Sequence, residues 1–84
     1  MSKFIKIIQH PITNGYLNLD MRQTVEWLVN PANIIVKYDP KYPNGYGEYL
    51  HCLKIKDPNQ TITLYREDAD TAYKYLRKLN IKED

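Results

Sequence analysis

Residues 48–66, EYLHCLKIKDPNQTITLYR, decide the fold. Two runs rich in β-branched and aromatic residues flank Asp57-Pro58-Asn59-Gln60, a turn with proline at its second position. Such a turn fixes a register. It sets Ile55 opposite Ile62 and Leu53 opposite Leu64 on one face, and Lys56 opposite Thr61, Lys54 opposite Thr63 and Cys52 opposite Tyr65 on the other. The first face is apolar enough to be buried; the second is mixed.

Working outward toward the N-terminus, residues 33–39 (NIIVKYD) read as a strand and residues 40–47 (PKYPNGYG) as a loop. Closing that loop as a long hairpin sets Ile34 against Leu53, Val36 against His51 and Tyr38 against Tyr49. Its other face then has Ile35 against Cys52 and Lys37 against Leu50. Toward the C-terminus, Ala69, Ala72, Tyr73, Leu76 and Leu79 form the apolar stripe of a helix over 68–79. Glu67, Asp68 and Asp70 at its start and Lys74, Arg77 and Lys78 near its end suit the helix dipole.

The N-terminal part is harder to read. Residues 3–9 (KFIKIIQ) form a strand stopped by His10-Pro11, and Thr13-Asn14-Gly15 is a turn. Leu17, Leu19, Met21, Val25, Trp27 and Val29 share one parity, broken at Gln23, which favours a strand with a kink near 21–24. The competing helix rests on the Asp20/Gln23 cap spacing and on Met21, Val25 and Leu28 sharing a helical face before Pro31. The resulting architecture is α+β: one domain over 1–84, an antiparallel sheet of four or five strands, and a C-terminal helix packed on one face.

Composition narrows the functions. The chain has 84 residues, a net charge of +2, one cysteine and eight tyrosines against one Trp and one Phe. So weak a positive charge argues against a protein that grips duplex DNA through phosphates. With Cys52 alone, neither an internal disulfide nor a thiolate zinc site can form. His51 and Cys52 are strand neighbours pointing to opposite faces, so they make no dyad, and the remaining carboxylates fit caps and turns. No cofactor or metal is expected. There is no apolar run long enough for a membrane span and no signal-peptide pattern at the start, so no membrane association and a cytoplasmic location are expected.

A single helix covers one sheet face, leaving Ile35, Leu50, Cys52 and Tyr65 on the second, fringed by Lys37, Lys54 and Lys56. Either that face is an interaction surface, or residues 20–29 or the first strand fold over it. Beside it, Tyr38, Tyr42, Tyr46 and Tyr49 gather around the proline-stiffened loop with Lys37 and Lys41 interleaved. The expected function is therefore a non-enzymatic binding module of adaptor, regulator or inhibitor type. Its contacts come from Tyr38, Lys41, Tyr42, Tyr46, Tyr49, Ile35, Lys37, Leu50, Lys54 and Tyr65. The partner is another protein or a second copy in a homodimer. The alternative is a single-stranded nucleic-acid binder that stacks bases on tyrosines.

Overall fold

A computed structural model describes residues 4–13, 16–17 and 23–84. Its centre is a four-stranded sheet in the order β7-β6-β5-β8, with β5 at Ile35–Pro43, β6 at Tyr49–Lys56, β7 at Thr61–Tyr65 and β8 at Lys82–Glu83. The β6–β7 hairpin has the register that the turn dictates, from Cys52 opposite Tyr65 to Lys56 opposite Thr61. Asp57 holds that turn closed. Its Oδ1 accepts from the backbone N–H groups of Asn59 and Gln60, both at 2.8 Å.

The longer hairpin differs from expectation in two ways. Pro40 to Pro43 belong to β5, so the connection is shorter and covers residues 44–48. The pairing is accordingly displaced: Tyr38 faces Leu53, Val36 faces Ile55 and Lys37 faces Lys54. This displacement is four residues. Because side chains alternate with period two, an even slip leaves every residue on its expected face. An irregularity between Asp39 and Tyr42 then shifts the pairing once more, and Tyr42 comes opposite Leu50. Prolines 40 and 43 are tolerated because β8 pairs only with Ile35 and Val36, leaving the rest of that β5 edge open among the described residues.

Asn44 closes the tip. Its Oδ1 accepts from the Tyr46 N–H at 2.7 Å and the Glu48 N–H at 3.3 Å. Gly45 and Gly47 supply positive φ angles of 88° and 81° there.

The first strand, β1, spans Ile5–Gln9 and pairs antiparallel with β4, Val25–Val29, as a separate two-stranded ribbon. The strand reading of the 20–29 stretch thus holds for its C-terminal half. Its proposed kink lies mostly outside the described residues, as does most of the Thr13-Asn14-Gly15 turn. The short β2, Ile12–Thr13, pairs with β3, Tyr16–Leu17. A single antiparallel sheet of four or five strands is therefore corrected to a mixed four-stranded sheet plus two short ribbons.

Helix α1 runs Glu67–Lys78 and lies on the first face of the main sheet. The core joins Ala69, Ala72 and Leu76 of the helix to Val36, Leu53, Ile55, Ile62 and Leu64 of the sheet, and to Ile7 and Val29 of the ribbon. Ribbon and helix close the same face. The second face is not where the first strand folds. Leu79, expected in the stripe, is 42% exposed because it caps the helix while the chain turns away at Asn80, φ 56°. Ile81 then packs against the core and Lys82-Glu83 return along β5 in parallel, a strand too short for any hydrophobic period to reveal.

Two helix carboxylates do more than serve the dipole. Asp68, at 6% exposure, accepts from the His10 backbone N–H at 2.7 Å through Oδ2 and meets His10 Nδ1 at 2.6 Å through Oδ1. It pins the end of β1 to the helix start. Asp70 turns to the sheet instead.

Candidate functional site

The second face is assembled by alternation along four strands. β6 contributes Leu50, Cys52, Lys54 and Lys56; β5 contributes Ile35, Lys37, Asp39 and, through its irregularity, Tyr42; β7 contributes Thr61, Thr63 and Tyr65. Strand β8 adds Lys82, paired in register with Ile35. Lys37 and Lys54 are directly opposite one another on antiparallel strands, an arrangement that costs folding free energy. Among the described residues, Lys37, Lys54, Lys56 and Lys82 have no carboxylate within ion-pair distance. Asp39 shares the face, but its Oδ1 accepts from the Lys41 backbone N–H at 2.9 Å and so caps the strand irregularity. Four lysines share this face with Asp39 and with Asp84, which has the parity of Lys82 and donates its backbone N–H to the Val36 carbonyl at 2.8 Å, so lysines outnumber carboxylates two to one.

Beside the lysines lies an apolar groove of about 450 Å³, lined among others by Ile12, Tyr42, Tyr46, Leu50, Tyr65 and Arg66. A smaller hollow of about 140 Å³ is bounded by Lys37, Asp39, Tyr42, Cys52 and Lys54. Tyr42 is the shared wall. Its ring lies 5.9 Å from that of Tyr65 at a 52° tilt, and Lys54 Nζ sits 5.7 Å from its centroid. Burial pushes the Tyr65 hydroxyl above its ordinary pKa, and the neighbouring Tyr42 pushes it the same way. Burial likewise raises the Cys52 thiol, with Lys54 opposing and Asp39 reinforcing, so the thiol stays protonated and poorly nucleophilic at neutral pH.

Arg66 joins β7 to the helix in a backbone conformation, φ 58° and ψ −130°, that glycine accepts and other residues resist. Its N–H donates to the His51 carbonyl at 2.8 Å, which holds the corner.

The expected site residues divide. Ile35, Lys37, Tyr42, Leu50, Lys54 and Tyr65 share the second face. Lys41 is exposed at the strand irregularity and Tyr46 projects from the tip, 89% exposed. Tyr49, exposed, faces the other way, since it pairs with Pro43 and continues the His51–Leu53 face.

Tyr38 is a different case. Its ring stacks on Tyr73 with centroids 4.1 Å apart and planes within 3°. Its hydroxyl donates to Asp70 Oδ1 at 2.6 Å, and the same oxygen meets His51 Nδ1 at 2.7 Å. The hydrogen bond to Asp70, with burial and the aspartate's charge behind it, pushes the Tyr38 hydroxyl up to about 12. Tyr73 donates to Glu83 Oε1 at 2.6 Å, which raises its own hydroxyl and ties β8 to the helix. Tyr38 therefore belongs to a structural network on the helix side. Sequence reasoning missed its partners because Asp70 lies 32 residues away and had an adequate local role at the helix start.

Among the described residues, no cluster of histidine, cysteine and carboxylate side chains could hold a metal ion, and no helix is long and apolar enough to cross a membrane. The sequence matches no protein-family model, no curated protein and no solved structure.

Proposed function

We propose that this protein is a non-enzymatic binding module, of adaptor, regulator or inhibitor type, that contacts another protein. The contact surface is the second sheet face together with the exposed end of the β5–β6 hairpin. One observation carries the reading: Lys37 and Lys54 oppose each other with no carboxylate of the described residues in ion-pair distance, beside an apolar groove. A sheet face with no duty beyond solubility has no reason to keep an opposed like-charge pair next to exposed apolar surface. We assign the protein to the cytoplasm, where a buried, unpaired Cys52 is at no oxidative disadvantage.

A protein partner is preferred to single-stranded nucleic acid on ring geometry. Base stacking needs open aromatic faces. Tyr42 carries Lys54 over its ring and Tyr65 at its side, and Tyr38 is stacked on Tyr73, so of the four hairpin tyrosines two, Tyr46 and Tyr49, keep exposed rings, and these point to different places.

The test is photo-cross-linking in an extract of the native host, with a benzophenone amino acid replacing Tyr46 and, as control, Lys78 on the helix. Nuclease-resistant protein adducts specific to the Tyr46 position, lost on Leu50→Lys, support the module, and an adduct with a second copy identifies self-association. Nuclease-sensitive adducts, or the same adducts from both positions, overturn it.

A further inference from the structure

We infer that the segment received by the second face is an acidic, extended polypeptide carrying one large apolar anchor. This rests on the binding-module reading and adds the chemistry of the partner. Charge is the first argument. Four lysines from three strands share a face with two aspartates, Asp39 and Asp84, leaving cations in excess there, and Asp39 is drawn aside to cap the strand irregularity. Lys54 and Lys56 are two residues apart on one strand, so their Cα atoms repeat at about 7 Å, the same-side spacing of residues along an extended chain.

The second argument is the adjacency of two hollows. The lysine-lined one and the apolar groove share Tyr42 as a wall, so an anion and an apolar side chain close together in a ligand are accommodated side by side. Groove walls from Leu50, Tyr65 and Ile12 suit a bulky aliphatic or aromatic anchor.

The third is what the face costs the fold. The opposed lysines disfavour folding, and so does the strained Arg66 backbone at the groove rim. Both features sit where the ligand would, and a folding penalty retained at one place is what a binding surface leaves behind.

The experiment measures fluorescence anisotropy on the full chain with four labelled probes: a peptide of glutamates and aspartates flanking one tryptophan, its glutamine/asparagine counterpart, the acidic peptide with alanine for tryptophan, and an oligothymidylate. The acidic tryptophan peptide is expected to bind best, with affinity falling as salt rises. Lys37→Glu and Lys54→Gln are each expected to weaken it about tenfold, whereas Lys78→Glu leaves it unchanged. Thermal melts guard against misfolding, since Lys37→Glu is expected to bind worse while melting higher. Equal affinity for the uncharged peptide overturns the acidic chemistry and leaves the module reading standing. Tighter binding of the oligothymidylate overturns both. Absence of binding to every probe overturns the partner chemistry, and cross-linking from the Tyr46 position judges the module independently.

Discussion

The two faces of the main sheet come from the same strands and the same register, yet they are built on opposite rules. On the first face Val36, Leu53, Ile55, Ile62 and Leu64 are almost wholly excluded from solvent, sealed by the helix and by Ile7 and Val29 of the ribbon. Its polar groups are matched: Asp68 with His10, Asp70 with Tyr38 and His51, Tyr73 with Glu83. The second face sets lysine against lysine and leaves an apolar groove open. The contrast teaches where the stability is invested. Folding uses the first face, and the second holds features that folding alone would not select.

The sharpest way to break this contrast is to truncate matched leucines. Leu53→Ala on the first face should cost about 2–5 kcal/mol in denaturant unfolding, and Leu50→Ala on the second under about 1 kcal/mol. Similar losses at both positions would show that the faces share the work. Asp68→Ala should cost about 3 kcal/mol, because it leaves the His10 N–H and ring without their buried acceptor. Hydrogen exchange should show β1 opening ahead of β6.

Tyr38→Phe should cost about 1 kcal/mol at neutral pH. It also carries a pH signature. The folded Tyr38 hydroxyl, raised to about 12 from an ordinary 10.0, contributes stability that is complete below 10 and lost as pH rises toward 12. Stability of the Phe variant should therefore decline less over that interval, and tyrosinate absorbance should show one fewer late-titrating group.

Two substitutions on the second side should run in the opposite direction. Arg66→Gly should gain under about 1 kcal/mol, releasing a strained backbone while giving up the further interaction that Arg66 makes. Lys37→Glu should gain about 0.5 kcal/mol by placing a carboxylate opposite Lys54. If either proves destabilising in urea melts, the claim that the second face is costly to the fold fails at that residue.

Legibility followed the range of the interactions. The β6–β7 hairpin could be read in full because a four-residue turn leaves one register for two alternating strands. The β5–β6 register could not, because Pro40-Lys41-Tyr42-Pro43 has loop composition and yet continues a strand whose edge is open there. The slip was even, so Ile35, Lys37, Leu50, Lys54 and Tyr65 were still assigned to the correct face. Tyr42 joined them only through the irregularity after Asp39, for which the local signal is the aspartate side chain bonded two residues ahead. The Tyr38–Tyr73 stack and the Asp68–His10 clamp have no local signal at all. Each joins groups whose short-range roles were already satisfied on paper.

By itself, then, the sequence determined the β6–β7 hairpin, the C-terminal helix with its buried Ala69, Ala72 and Leu76, and the division of the β5–β7 strands into two faces. Period and turn chemistry act within a few residues and need no knowledge of the rest of the chain. Only the tertiary structure decided which face was closed, that the ribbon joined the helix there, and that β8 returned along β5 to bring Lys82 beside Lys37, Lys54 and Lys56. Those outcomes depend on which apolar surfaces meet when distant segments compete for one core. The hydrophobic effect that settles the competition is non-directional, so no short stretch of sequence records the result.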